Sequence, residues 1–585
     1  MKLSREYIET FVGEVVSLRV IEEGETIPAV FTSDSDSISL FPKDGAVLIA
    51  AKADGQSVIT AEADGQKLYC KVNVRETVDE TAKMNYYIGD FHVHTTMDHN
   101  GETFKLRTDG RPADVVNDYC KEGKLDFTVI SDHACLLSDK EFMQGFIAAD
   151  EQEHDGLIVL AGSESEVENL QTDRYGIKHK NAGEIVTVNC VGYASCKKYD
   201  EYYRNVMPSP APVCVLAHPQ VMGSSVPGIW NFDLRHNATN EMKRCVRMIE
   251  MGNGTIREET PLFEHILSVA LDNGMTVSTT CSSDHHGPVW SADLFPGKTV
   301  IMAPEKSKEA FVKALRETRC YASESGNIRV YYTVNGITAP AHINNASEYV
   351  FHIEASHIDG TKADELKSLE IISDRERRLM TIWDEDFSSI DVTVKAQDAS
   401  YFYLRFANNK GEKTWSPVVW TENERHIIPN DLQHIEDKSA FTAKDTVSGK
   451  DASILFSGDP YQVFEGEETA QIVIDLRKQT SLRAIGVLPQ LYDGITRMTP
   501  ERKIMTEQLM RFPCKYRLSA SVDGINYKEI SDGYIRIFGG EDIIDFEKIS
   551  AKYLKLDVLE TAGRTSLRPQ FKDVKLKMGE IEFYM

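Results

Sequence analysis

The chain has 585 residues, 41% of them hydrophobic and 27% charged, and 91 acidic against 65 basic side chains leave a formal charge of -26. At roughly 150 residues per domain this is about four domains of ordinary globular composition, which excludes global disorder and collagen-like repeats. So negative a charge argues against a nucleic-acid duplex or an anionic membrane as partner, because both demand basic surface. No run reaches the ~18 apolar residues of a membrane span.

In chain order, residues 1–80 are short strand-like runs cut by Gly, Asp and Ser turns, the pattern of a small β-sandwich. Residues 85–325 alternate apolar strands (YYIGDFHVH, LDFTVISDH, GLIVLAGSE, PVCVLAHP, TVSTTCSSDHH) with helical stretches. That alternation predicts one α/β barrel. Residues 326–425 return to strands and predict a second β-sandwich packed on the barrel. After a polar connection, residues 440–585 form a further strand-rich unit. The fold class expected is therefore multidomain, α/β plus all-β. The start, MKLSREYIETFVGEVVSLRV, has no apolar core behind a basic end, so no signal peptide is expected. Ten cysteines without a CxxC pair read as reduced and structural. A cytoplasmic location follows, or a secreted or surface one if a leader has been removed.

The chemistry is concentrated. Of 16 histidines, 11 lie between His92 and His286. His92 and His94 end the first barrel strand at i and i+2, so both imidazoles share a face. Asp132 and His133 end the second strand, Glu164 the third and His218 a later one, while Asp284 and His286 end the last, again at i and i+2. The C-terminal ends of barrel strands are where such folds gather their active sites. One histidine after a strand is ordinarily structural; five strands ending in His, Asp or Glu predict a metal site. Imidazole and carboxylate without thiolate suit Zn, Mn or Fe, and the number of donors suggests two or three divalent ions. His265, within a helix, and His236, in a loop, read as structural.

With HVHT, SDH, GSE, AHP and DHH in that order, residues 86–325 resemble the PHP family, named for polymerases and histidinol phosphatases. The resemblance implies a distorted (β/α)7 barrel and a two- or three-metal centre. By position it implies that His92, His94, Glu164 and Asp284 hold one metal and that Glu164 bridges to a second, with His218. His133, His286 and a residue from the loop after His94 would hold the third. In that loop TTMDHNG departs from the family pattern and puts His99 where an Asp is usual; His99 is either a ligand or part of a solvated loop. His179, in YGIKHKNAGE, is the histidine available between Glu164 and His218. Residues 1–75 resemble bacterial Ig-like domains of group 2, which implies a spacer. Residues 440–585 resemble discoidin (coagulation factor 5/8 type C) domains, which implies a jelly roll and a carbohydrate ligand, although this segment has no tryptophan to stack on a sugar.

The function expected is a metal-dependent phosphoesterase acting on phosphate mono- or diesters of small molecules or glycans. Two metals would lower the pKa of a bridging water towards neutrality, and the resulting hydroxide would attack phosphorus. Glu164, Asp284 and His286 are the expected catalytic residues, with Arg174, Lys178, Lys180 and Arg257 as candidate ester-holding cations. The 326–425 segment also resembles the β-domain of PHP-type carbamate hydrolases. Hydrolysis of carbamates, amides or carboxylic esters is therefore the alternative, and a glycan-binding protein with an inactive barrel is a third.

Overall fold

A computed structural model describes residues 1–76, 83–95, 125–151, 156–172, 178–193, 199–222, 229–231, 240–254, 263–286, 296–423, 429, 431–459, 462–488, 512–536, 541–561 and 575–585. The N-terminal unit is two sheets face to face. One runs Lys2–Leu3, Val15–Glu22, Ala46–Ala51, Ile38–Lys43; the other runs Tyr7–Phe11, Gln66–Arg75, Gly55–Ala63, Val30–Ser33. Alternation in GQSVITAEA buries Ser57, Ile59, Ala61 and Ala63 on one face, as the two-residue period of a half-buried strand requires. Their apolar members meet Leu18, Val47, Ile49 and Val72 in a common core. Ion pairs tie this unit to the next: Arg5 to Asp150 at 2.9 Å, Arg19 to Glu151 at 3.1 Å.

The central unit contains seven strands paired in succession: β1 (Asn85–Val93), β2 (Phe127–Ile130), β3 (Ile158–Thr172), β4 (Lys178–Val188), β5 (Val213–Ala217), β6 (Val246–Asn253) and β7 (Ser278–Ser282). Pairs β1–β2, β2–β3, β5–β6 and β6–β7 are parallel. A parallel bridge between Val93 and His285 joins the segment after β7 back to β1. β8 (Lys298–Ala303) pairs antiparallel with the first half of β1. Five helices accompany the strands among the described residues: α1 (Asp139–Glu151), α2 (Tyr199–Val206), α3 (Asn240–Cys245), α4 (Phe263–Asp272) and α5 (Lys308–Arg316).

The regular strand–helix repeat of a (β/α)7 barrel is not evident. β3 and β4 form a long antiparallel hairpin in register from Gly162↔Val188 to Thr172↔Lys178, and β4–β5 is antiparallel too. The reason is local: only residues 173–177 separate β3 from β4, and a parallel return needs a crossover of a dozen residues or more. Among the described residues the protein is accordingly richer in strand, and poorer in helix, than the sequence pattern suggests; the expected helix PADVVNDYCKEGK lies outside them. None of the described helices is long and apolar enough to cross a membrane.

Residues 328–421 supply two more sheets. One of them continues the central sheet through the Ser323↔Thr414 pair. Strand Tyr401–Asn408 is buried along its whole length, because the central unit covers one face and the other sheet the second. Helix α4 is buried at all ten positions between these layers. Its Glu264 meets Arg405 at 2.5 Å, His265 meets Glu376 at 2.7 Å, and Asp272 pairs with Arg536 of the last unit. His265 is thus a structural residue. The last unit is a six-stranded antiparallel sheet built on the long strands Ala470–Val487 and Asp542–Thr561, with its own apolar core.

Candidate metal centre

Strand alternation aims the first two candidate ligands. Val93 points into the cluster of Leu125, Ile130 and Val159, so His92 and His94 point the other way, both almost completely buried. Backbone bonds lock the neighbouring ends to them: Asp284 N to His92 O at 2.8 Å, His94 N to His285 O at 3.1 Å, and Glu164 N to Asp132 O at 3.0 Å. Two residues here hold left-handed backbone, His218 at φ 26° and Asp284 at φ 50°. Non-glycine residues rarely adopt it, and it persists where surrounding contacts over-determine it.

Glu164 is the centre of the constellation. Its Oε1 lies 3.1 Å from His92 Nε2 and 3.2 Å from His218 Nε2. Its Oε2 lies 3.3 Å from His133 Nε2 and 3.4 Å from His94 Nε2. Asp284 Oδ1 faces His94 Nε2 at 3.2 Å, His92 Nε2 at 3.4 Å and His286 Nδ1 at 3.5 Å. Partly buried Glu184 reaches His218 Nε2 at 3.1 Å. Four triads have ligand atoms within 4.8 Å of one another: His92–His94–Asp284, His92–Glu164–His218, His133–Glu164–Glu184 and His94–His133–His286.

These residues fit divalent cations better than they fit one another. His92 Nε2 and His94 Nε2 face each other at 3.1 Å, and the His94 and His286 rings stack at 3.8 Å. Glu164 Oε1, with two imidazole nitrogens beside it, accepts no hydrogen bond of proper geometry. Burial favours neutral His92, yet Glu164 and Asp284 outweigh it and raise its pKa. Burial likewise opposes a charge on His218, but Glu164 and Glu184 bring it to about 9. His286 moves the other way, to about 4, through burial and repulsion from His94. Burial and the charge on Glu164 lift Glu184 to about 7. Such conflicting demands in one largely buried pocket are of the kind that cations held between imidazole and carboxylate donors satisfy together. The donor set, nitrogen and oxygen without thiolate, suits Zn, Mn or Fe.

A second layer of buried acids aims the first. Glu250 on β6 accepts from His218 N at 2.6 Å, from Asn253 Nδ2 at 3.0 Å and from Ser282 Oγ, and its Oε1 sits 3.5 Å from His92 Nδ1. Asn253 Nδ2 also reaches Asp284 at 3.2 Å. Asp132 accepts from Thr95 N at 2.5 Å and from Thr95 Oγ1 at 2.7 Å, and Asp90 accepts from Ser283 N at 3.0 Å.

The structure thus brings His92, His94, His133, Glu164, His218, Asp284 and His286 into one pocket. His99, Arg174, His236 and Arg257 lie outside the described residues, as do the side chains of Lys178, His179 and Lys180. The backbone of His179 is on β4 opposite Gln171, five residues before Glu184, roughly 17 Å along the strand. Sequence reasoning missed Glu184 and Glu250. Neither ends a strand, and Glu184 comes beside His218 only through its antiparallel register with Ala217.

No family model matches the chain, and no curated protein matches it. Among solved structures, it is similar to a two-domain protein from Bacteroides vulgatus containing a predicted PHP-like metal-dependent phosphoesterase, at 14% identity over 57% of this chain and 93% of that one, with a TM-score of 0.29. It is also similar to CpGH89CBM32-5 from Clostridium perfringens, in complex with GalNAc-β-1,3-galactose, at 18% identity over 25% of this chain and 95% of that one, TM-score 0.19. A third is the family 32 carbohydrate-binding module of C. perfringens NanJ in complex with galactose, at 15% identity over 26% and 99%, TM-score 0.20. At these scores the meaning of the site rests on its own geometry.

Proposed function

We propose that the chain is a metal-dependent phosphoesterase that hydrolyses phosphate mono- or diesters of sugars or nucleotides at the pocket around Glu164. One observation carries the reading: each oxygen of a single buried carboxylate faces two imidazoles, so that adjacent cation positions share it. His92, His94 and Asp284 would hold one ion. His218, Glu164 and Glu184 would hold a second, and His94, His133 and His286 offer donors for a third. Bound divalent ions supply Lewis acidity towards phosphoryl oxygens and a water ionised near neutral pH. The chain's own part is to fix the donors. Glu250 holds the strained His218 backbone and faces the far nitrogen of His92, and Asn253 steadies Asp284. Of the three expected catalytic residues, buried Glu164 and Asp284 would serve as shared ligands, and His286, the most exposed of the three, would face the substrate.

The four parallel pairs β1–β2, β2–β3, β5–β6 and β6–β7, with the ordered motifs, support a PHP-type unit that the antiparallel β4 interrupts. Around it the same reading places an Ig-like unit at 1–80, a β-sandwich at 326–425 and a discoidin-type unit at 440–585. A carbohydrate at the last unit would make a phosphorylated glycan a natural substrate. The test is metal content by mass spectrometry, followed by turnover of p-nitrophenyl phosphate and bis(p-nitrophenyl) phosphate with added Mn or Zn. Two or three ions per chain, with turnover lost in His92→Ala, is the expected result. Full occupancy with turnover of carbamates or carboxylic esters alone overturns it in favour of carbonyl chemistry, and absence of metal binding overturns both.

A further inference from the structure

At the other end of the central sheet lies a second polar cavity of about 370 Å³, contiguous with one of about 700 Å³. It opens where β5, β6 and β7 begin, whereas the metal centre lies where they end. From Pro212 at its wall to His218 the chain runs six residues along β5, roughly 20 Å. Arg244, Arg247 and Arg316 line both cavities, with Lys313 in the smaller and Lys243 in the larger. Among the described lining residues the sole acid is Glu317, which is already engaged by Arg319 at 2.9 Å and Lys313 at 4.0 Å. Among the described residues, none of the three arginines is in an ion pair.

Helix ends account for part of this. Arg244 and Arg316 fall in the last turns of α3 and α5, where positive charge is favoured, and Arg247 Nη1 donates to Lys243 O at 3.0 Å. They do not account for the convergence of three unpaired guanidiniums on one cavity in a chain of charge -26. Burial and the nearby Arg316 and Arg244 hold the Arg247 guanidinium below its usual range. Arg316 is also seated from outside. Gly13 of the N-terminal unit, at φ 102°, leaves it room; a Cβ there would come within 2.7 Å of Arg316 Nη1. Pro210, Ala211 and Pro212 give the cavity an apolar wall. Guanidinium forks match the geometry of tetrahedral oxyanions bidentately.

We propose that this cavity is a second ligand site, separate from the metal centre, that binds the phosphate or sulfate group of a small molecule between Arg244, Arg247 and Arg316. Free phosphate and an esterified phosphate share this chemistry, and the experiment separates them. The full-length protein, treated with chelator to silence the metal centre, is titrated calorimetrically with inorganic phosphate, inorganic sulfate and glucose 6-phosphate. The expected result is one site per chain. Binding should weaken about a hundredfold in Arg247→Gln/Arg316→Gln, since each charge-assisted bond lost is worth about a factor of ten. Tighter binding of the sugar phosphate than of free phosphate points to an ester ligand, and the reverse order to free phosphate as the ligand. Exposed Arg244→Gln, which threatens folding least, should also weaken binding, and Asp284→Asn should leave it unchanged. Binding lost in Asp284→Asn but kept in the arginine variants, or no binding in the parent protein, overturns the proposal.

Discussion

Replacing Glu250 by glutamine tests whether the buried acid behind the ligands positions them. The carboxylate is acceptor-only: one oxygen takes His218 N and Asn253, the other takes Ser282 Oγ and faces His92 Nδ1. Glutamine is isosteric but has one acceptor oxygen. If that oxygen stays on the short 2.6 Å bond from His218 N, the amide NH2 turns towards His92 Nδ1. A donor there selects the tautomer with its proton on Nε2, the nitrogen that faces Glu164 and Asp284, and so blocks it as a ligand. Loss of such an orienting partner costs about 10- to 100-fold in metal affinity, equivalent to about 1.4–2.7 kcal/mol. We predict that Glu250→Gln lowers metal affinity by that factor, measured by competition with a chromogenic chelator, and lowers phosphate-ester turnover at fixed metal. Its thermal unfolding should stay close to that of the parent. Affinity and turnover within twofold of the parent would refute the reasoning, and a lower melting temperature at unchanged affinity would make Glu250 merely structural.

Other predictions follow from neighbouring contacts. Glu184→Gln should remove about one equivalent of bound metal while leaving the His92–His94–Asp284 position filled, whereas Asp284→Ala should empty that position and abolish turnover; mass spectrometry of the purified variants distinguishes them. Arg405 is buried between Glu264 at 2.5 Å and Glu370 at 2.6 Å. Arg405→Met removes the cation that both carboxylates share, leaving Lys413 with Glu264 and Arg378 with Glu370, and should cost about 3 kcal/mol in denaturant unfolding; a loss under 1 kcal/mol would contradict that. Burial works against ionised Glu264 and Glu370, but Arg405, with Lys413 at the first and Arg378 at the second, holds both pKa values below the usual range. Their contribution is complete above the unfolded carboxylate pKa of about 4.3 and disappears as pH falls through the lowered folded values. Stability should therefore drop steeply below about pH 4, and less steeply in Arg405→Met.

Much of the pocket was legible one residue at a time. His92 and His94 share a face because strands alternate, and His133, His218, Asp284 and His286 were read from their place after apolar runs. Glu164 was found in the same way although β3 continues past it to Thr172. The rule behind that reading assumes parallel strands with helical returns, and it failed at the β3–β4 hairpin. There the end of the sheet that carries the His and carboxylate cluster is crossed by the middle of a strand, so Glu184 carried no terminal signal. Glu250 was hidden for a different reason. In VRMIEMGN it is one acid within a buried strand, and only the packing of β1, β5 and β7 around it shows four groups in need of an acceptor.

By itself the sequence determined the strand-rich character of the chain's two ends, the types of side chain gathered in the pocket and the shared face of His92 and His94, because these depend on composition and on a period of two residues. The tertiary structure decided the antiparallel insertion, the sharing of Glu164 between facing imidazoles, the buried acids behind them and the arginines gathered at the opposite end. Those depend on register and on contacts between residues tens of positions apart, which no local pattern encodes.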